Sequence, residues 1–443
     1  MDSRFLAYAE RQAPRYTSYP AAPHFSASIG ADEVTRWLAD LKPDARLSLY
    51  IHVPYCRQLC WYCGCNTYAA RRDEPIRDFV DTLLDELDLV AAASSARRLV
   101  EIHWGGGTPN ILSPIEFERI GDRLAKHFVV DRNVHHAIEL DPRYVDADKA
   151  AAYARAGVNR VSLGVQDLNE KVQQAIGRIQ PLQIVSEAVT SLRNAGISRI
   201  NMDLMYGLPH QSLEDLRTTI SLASEMAPDR IALFGYAHVP WFKKRQRLIA
   251  EAALPGAHER FAQAEAAREQ LLDLGYVAIG LDHFALPRDE LALAQDSGRL
   301  RRSFQGYVLE TADALIGVGP SSISTLPNGY AQNAPEPGAW GHAIAERRLA
   351  TVRGHALSEN DRIRGRIIEQ IMCDFEADLT PLGGARACAE ELSGLAPMFA
   401  DRMLDVKDDR LILSADARPF CRLVAVAFDA YAPRSVARHS RAV

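Results

Sequence analysis

Between residues 47 and 240, short runs dense in apolar and β-branched residues alternate with longer stretches whose apolar positions recur every three to four residues. The runs at 47–53, 99–104, 136–140, 160–165, 199–205 and 230–235 each predict a strand. The stretches 77–92, 114–128, 146–156, 182–195 and 212–226 predict amphipathic helices. Gly157 and Gly196 stand at positions where a helix end takes a left-handed residue. Near-continuous apolar character along a strand means burial on both faces, as in parallel strands covered by helices. Six such units predict an α/β fold, either an open doubly wound sheet or an incomplete barrel.

Polar residues collect at the C-terminal ends of these runs: cysteines after the first, 105–108 after the second, Glu139 and Asp141 at the third, Gln166 after the fourth and Asp203 within the fifth. That edge of an α/β sheet is where ligands bind, so one mouth would unite them. Residues 1–46 form an N-terminal extension before this barrel region of 47–240. A second section, 241–355, opens with a helical pattern over 258–274 and continues through runs at 276–284 and 314–324. Its strands either extend the first sheet or cover its mouth. From 356 to 431 the pattern is two helices, a hairpin over 404–413 and a last helix, which predicts a small winged-helix-like cap. Residues 432–443 are expected to be a frayed tail.

A chain of 443 residues exceeds one ordinary core, so a large domain with a smaller companion is expected. With 47% hydrophobic and 24% charged residues the composition is that of a globular protein. A formal charge of −6 gives no general attraction to nucleic acid or to an anionic membrane. No apolar run approaches the roughly 18 residues of a spanning helix, and the start, Met1-Asp2-Ser3-Arg4, lacks the apolar stretch of a signal peptide. A cytoplasmic protein is the expectation.

Four of the seven cysteines, Cys56, Cys60, Cys63 and Cys65, fall within ten residues directly after the first strand. Three thiolates at this C-x3-C-x2-C spacing can converge on one iron–sulfur cube, and three ligands for four irons leave one iron open to an outside molecule. Structural zinc would call for a second cysteine pair or a histidine partner, and no further cysteine occurs before Cys373. A fourth protein ligand would close the open iron, so Cys65 is taken as a bystander. Cys373, Cys388 and Cys421 are expected to be small buried hydrophobes.

The glycines at 105–107 let a ligand approach the backbone closely; without the cysteines they would mark only a tight turn. Glu139 and Asp203 lie within apolar strands, where a carboxylate needs a partner. For each this is an internal Arg or Lys, or a ribose diol or ammonium group of a ligand. Tyr50 and His52 share one side of the first strand, with His52 expected as a core histidine satisfied by backbone. Gln166 and Arg178 flank the segment 167–177. Lys243, Lys244, Arg245 and Arg247, and the pair Arg301 and Arg302, suggest a solvated face, or else a surface for a polycarboxylate.

The cysteine spacing after a strand, followed by a glycine-rich second strand end, resembles the radical S-adenosylmethionine superfamily. Within it, Tyr50-Ile51-His52-Val53-Pro54-Tyr55-Cys56, Cys60-Trp61-Tyr62-Cys63-Gly64-Cys65-Asn66, His103 to Pro109, Tyr206-Gly207-Leu208-Pro209 and Asp282-His283-Phe284-Ala285 closely resemble the oxygen-independent coproporphyrinogen III oxidase family. Arg15-Tyr16-Thr17-Ser18-Tyr19-Pro20 and Phe304-Gln305-Gly306-Tyr307 also fit, and the likeness covers most of residues 14–375. Haem-binding chaperone relatives share the barrel and cluster, but tend to carry Cys-Asp-Phe after the last ligand and to lack the Arg15 to Pro20 segment. A simple electron carrier would need neither a barrel of this size nor an open iron.

The resemblance implies a partial (βα)6 barrel with an N-terminal extension and a mainly helical C-terminal domain over the mouth. By resemblance, Cys56, Cys60 and Cys63 hold a [4Fe–4S] cluster whose fourth iron is chelated by S-adenosylmethionine. Tyr50, Gly106, Glu139 and Ile323 match positions around that molecule. Tyr62, Gly107, Thr108, Gln166, Arg178, Asp203 and Ala237 match the surroundings of a second one; position 62 is often Phe in the family, and stacking survives the added hydroxyl. The implied chemistry is reductive cleavage of the sulfonium to a 5′-deoxyadenosyl radical, hydrogen abstraction from a propionate β-carbon, and loss of CO2 and one electron to leave a vinyl group. The implied partners are coproporphyrinogen III and an unidentified electron donor and acceptor, with no nucleic acid or membrane, acting on a monomer.

Overall fold

The computed structural model describes residues 3–309 and 312–432, so the tail expected over 432–443 lies, beyond Ala432, outside the described residues. The six expected strands are β1 (Arg46–Val53), β2 (Arg98–Gly106), β3 (Val129–Leu140), β4 (Arg160–Gln166), β5 (Arg199–Tyr206) and β6 (Arg230–Gly235). They lie side by side in sequence order and all pair in parallel. Leu47, Leu49, Ile51 and Val53 on one face of β1 are fully buried, and Ser48, Tyr50 and His52 on the other face are buried too, as a strand covered on both faces requires. Helices Glu74–Ala93, Pro114–His127, Ala147–Arg155, Leu182–Asn194 and Leu213–Glu225 connect the strands. Two of them start at capping boxes, Ser113 with Glu116 and Ser212 with Asp215, which satisfy amides of the first turn. Gly157 and Gly196 have φ of +83° and +91° just past helix ends, the conformation that glycine adopts without a Cβ penalty.

Strands of the second section extend this sheet at both edges. Ala314–Val318 pairs in parallel with β1, and the antiparallel strands Ile323–Leu326, Gly329–Asn333 and Thr351–Ala356 follow it outward. At the far edge His283–Ala285 runs antiparallel to β6, with Val277–Ile279 beyond it. Among the described residues the two outermost strands of this twelve-stranded sheet do not pair with each other, so the barrel stays open.

The C-terminal region has the long helix Glu359–Cys373, the short helices Ala389–Ser393 and Ala396–Ala400, the hairpin Leu404–Lys407 with Arg410–Leu413, and a last helix, Cys421–Ala427. A third strand, Glu376–Asp378, pairs with the hairpin and was not foreseen in the sequence. This region shares its core with the N-terminal extension: Tyr8, Ala13, Tyr16 and Tyr19 join Ile367, Ile371, Phe420 and Val424 in one apolar cluster. The Tyr8 hydroxyl donates to Asp401 at 2.7 Å, and that of Tyr16 to Asp429 at 3.0 Å. Ser26 forms a bridge with Gly354 on the outermost strand of the barrel sheet. The extension therefore clasps the C-terminal region to the barrel.

Candidate active site

The cysteine loop leaves the C-terminal end of β1 and is tied at its base by a two-residue parallel pairing of Tyr55–Cys56 with Tyr68–Ala69. Its middle is fixed by the Trp61 amide, which donates to the Ile176 carbonyl at 2.9 Å. Gly177 has φ of +64°, and a Cβ there would lie 2.8 Å from the Trp61 ring, so glycine is required for the loop to seat. The second glycine loop packs behind it. The Gly107 amide donates to Val53 and the Thr108 amide to Tyr55, and a Cβ on Gly107 would come within 2.6 Å of the Thr67 hydroxyl.

The donor set suits a sulfur-bound cluster. Thr108 Oγ1 donates to the Cys56 sulfur at 3.1 Å, with the Thr67 hydroxyl also 3.1 Å away. Arg178 Nη1 points at the Cys60 sulfur at 3.5 Å. The Cys65 thiol, its amide at 3.4 Å, and the cations Arg245 and Lys243 favour the Cys63 thiolate, which is brought down to about 6 against the opposing effect of burial. Burial pushes Cys56 up, partly offset by the two threonines. Hydrogen bonds and positive charge at thiolates are what cluster ligation calls on, and Cys65 serves here by donating to a neighbouring sulfur. Three thiols on one short loop, each with a polar neighbour, fit a [4Fe–4S] cluster.

On one side of the loop stand the residues expected around the first S-adenosylmethionine. Tyr50 is in register with His103 of β2, and their rings stack at 5.8 Å. His103 Nε2 meets Glu139 Oε1 at 3.1 Å, and the Tyr50 hydroxyl meets His52 Nδ1 at 3.2 Å. His52 Nε2 lies 3.0 Å from the Asn66 carbonyl, the backbone partner expected for a core histidine, and burial pushes its pKa down. Gly105 and Gly106 are needed for this packing: a Cβ on the first would lie 2.9 Å from Glu139, and one on the second 2.7 Å from the His52 ring. The Ile323 carbonyl backs Gly317, itself in register with Tyr50. Tyr50, Gly106 and Glu139 are thus brought together, with Ile323 on the strand beyond Gly317. Glu139's partner is a histidine, however, and not the Arg or Lys that was one of the expectations.

On the other side Arg178 is the organising residue. It is 7% exposed. It donates through Nη2 to the Gly164 carbonyl at 2.7 Å and through Nε to Gln180 at 2.9 Å, and pairs with Asp141 at 3.2 Å. Asp141 also takes a two-pronged contact from Arg143 at 2.7 and 3.0 Å. Burial raises Asp141, but Arg178 and Arg143 outweigh it and hold the carboxyl below its ordinary range. Gln166 has φ of +65°, turning its amide against Gly164, where a Cβ would lie 2.9 Å away. Gln246 Nε2 donates to the carbonyls of both Tyr62, at 2.8 Å, and Ala237, at 3.1 Å, so it ties the cysteine loop to the end of β6. Burial keeps the phenols of Tyr50 and Tyr62 neutral.

Of the residues expected around a second molecule, Tyr62, Gln166, Arg178 and Ala237 share this side, while Gly107 and Thr108 turn toward the cysteine loop. Asp203 stands between the two groups. It is in register with Gly164, yet lines the barrel interior with Glu139. Its partners are Ser162 at 2.9 Å and Asn201 at 2.8 Å, internal groups but not the Arg or Lys expected, and burial together with the Glu139 charge raises it to about 6. His103, Asp141, Thr67 and Gln246 were not singled out for these roles. His103 follows the strand periodicity of β2, whereas Gln246 lies in a basic loop with no periodic signal.

An open parallel barrel with three cysteines on a loop at its mouth defines a radical SAM protein, and residues 50–223 match the radical SAM superfamily. The chain is 46% identical to the oxygen-independent coproporphyrinogen III oxidase of Bradyrhizobium diazoefficiens, over 99% of both chains. It is 36% identical to the protein of the same name from Escherichia coli, over 94% of this chain and 93% of that one. The solved structure of the Escherichia coli coproporphyrinogen III oxidase, described as a radical SAM enzyme, superposes with a TM-score of 0.90 at 35% identity, covering 95% of this chain and 100% of that one. The chain belongs to the oxygen-independent coproporphyrinogen III oxidase family. It is an oxidoreductase whose cofactors are a [4Fe–4S] cluster and S-adenosylmethionine.

Proposed function

We propose that the chain converts coproporphyrinogen III to protoporphyrinogen IX without oxygen, turning two propionate side chains into vinyl groups with release of two CO2. The observation that carries this reading is the two-sided cysteine loop, with Tyr50, His103 and Glu139 on one side and Tyr62, Gln246 and Arg178 on the other. Cys56, Cys60 and Cys63 would hold the cluster. Tyr50, Gly106, Glu139 and Ile323 would hold one S-adenosylmethionine, and Tyr62, Gln166, Arg178 and Ala237 would bound a second. When bound, the cluster and S-adenosylmethionine supply the hydrogen-abstracting 5′-deoxyadenosyl radical.

The chain's own residues supply position and environment. The neutral phenols of Tyr50 and Tyr62 offer flat faces and no mobile charge beside the loop. Arg178 keeps positive charge at Cys60 while Asp141 balances it. Residues of the N-terminal extension and of the C-terminal region line the mouth side, where they would limit the access of water to the reaction. An electron donor and an electron acceptor are required partners, the protein acts as a monomer in the cytoplasm, and no described helix is long and apolar enough to cross a membrane. The test is anaerobic turnover of coproporphyrinogen III with S-adenosylmethionine and a chemical reductant. A tripropionate intermediate, then protoporphyrinogen IX and two CO2 per molecule are expected; haem binding with no CO2 would overturn the reading.

A further inference from the structure

A cavity of about 590 Å³ lies at the mouth beside the ends of β5 and β6, between the N-terminal extension, the helix Ala257–Asp273 and the C-terminal region. It is in the size range of cavities that enclose a molecule of several hundred daltons. Six arginines line it, Arg15, Arg260, Arg268, Arg302, Arg418 and Arg422, against three carboxylates, Glu251, Glu265 and Asp282. Between the charges run apolar walls of Tyr206, Phe234 and Phe284. Ala237 and Tyr236 also line it, so the cavity reaches the Tyr62 side of the cysteine loop.

Arg302 is the telling residue. Its side chain is only 6% exposed, and it lies over the Tyr307 ring at 4.6 Å. Its Nε and Nη1 are buried without a hydrogen bond, and the nearest carboxylate, Asp282, stands 4.0 Å from Nη1. Asp282 makes no hydrogen bond to Arg302 at that distance and is shared with His283, at 2.8 Å. A buried cation with unused donors is costly unless an anion completes it. Arg422 lies close by, and burial with the like charge of Arg15 pushes its pKa down to about 10, the mark of positive charge crowded into one place. Arg15 itself is exposed and anchored to the Gly235 carbonyl at 3.2 Å, at the rim.

We propose that this cavity is a carboxylate cage, in which Arg15, Arg302 and Arg422 hold propionate side chains of the porphyrinogen that are not reacting. The inference rests on the proposed decarboxylation, and adds which residues read the substrate's charges. Arginine suits the task because its planar donors match carboxylates and it stays charged when buried. The apolar walls would take the macrocycle, and the opening toward Tyr62 leaves another propionate near the loop.

The probe is coproporphyrin III, a stable fluorescent tetracarboxylate, titrated anaerobically into the reconstituted holoenzyme and into Arg302→Met and Arg15→Met. Circular dichroism and cluster absorbance control for folding, and the rim position of Arg15 makes Arg15→Met a second test that does not disturb the interior. Each variant is expected to weaken binding at least about tenfold, as loss of a charge-assisted hydrogen bond does, and to raise KM for coproporphyrinogen III more than it lowers kcat. Equal affinity in wild type and both folded variants, or no binding by wild type, would overturn the cage. Wild type that binds coproporphyrin III yet releases no CO2 from coproporphyrinogen III in the anaerobic turnover assay would instead sink the proposed reaction and leave the cage standing.

Discussion

Thr108 and Arg178 reach two different sulfurs of one ten-residue loop, while Cys65 donates to the third. That division of labour predicts that Cys56, Cys60 and Cys63 are the ligands and Cys65 a supporting residue. Cys60→Ser is therefore expected to abolish the brown chromophore after anaerobic reconstitution, and Cys65→Ser to keep it. Full absorbance in the first, or its loss in the second, would show the assignment to be wrong; an absorbance titration of iron and sulfide decides it. The cysteine loop itself was legible, because four thiols within ten residues directly after an apolar strand mark it in the sequence. The partner of Glu139 was not. Whether a carboxylate within a strand finds an arginine or His103 depends on which strand lies alongside, and His103 comes next to Glu139 only through the pairing of β2 with β3.

At the scale of elements, the parallel strands announced themselves through short apolar runs: β1 is buried on both faces along nearly its whole length, whereas β3 is buried only toward its C-terminal end, the part its apolar run marks. Short edge strands carry no such signature: Glu376–Asp378 has three residues, and its pairing with Arg410–Leu413 spans more than thirty positions. One contact between elements has a measurable consequence. Glu86, buried in the helix Glu74–Ala93, accepts from the Gly319 amide at 2.6 Å and from Asn333 at 2.7 Å, joining that helix to the added strands. Burial outweighs these bonds and raises its pKa from 4.5 to about 7. Because the folded value lies above the unfolded one, the stabilisation is whole below about pH 4.5 and is lost as pH rises through about 7. Wild type should lose up to about 3 kcal/mol across that window. In Glu86→Gln the corresponding slope should vanish. Thermal melts at steps from pH 4.5 to 8 test this, and parallel curves for the two proteins would contradict it.

For the whole molecule, the N-terminal extension and the C-terminal region meet beside the mouth. Tyr16 and Asp429, more than four hundred residues apart, share a hydrogen bond, and Arg422 donates to the Ala13 carbonyl at 3.2 Å. No local pattern encodes such a clasp; the sequence shows only an N-terminal extension and a winged-helix-like cap, and the tertiary fold alone joins them. Their meeting also builds the arginine-lined cavity, since Arg15 and Arg422 enter it from those two ends while Arg302 comes from the strand Leu300–Ser303 between them. The central claim is that this mouth turns cofactor cleavage into hydrogen abstraction from a propionate. The direct measurement uses coproporphyrinogen III deuterated at its propionate β-carbons, with mass analysis of the 5′-deoxyadenosine formed during anaerobic turnover. Deuterium in that nucleoside, rising in step with CO2, is the predicted result; 5′-deoxyadenosine formed at the same rate without deuterium, from unchanged substrate, would contradict the account.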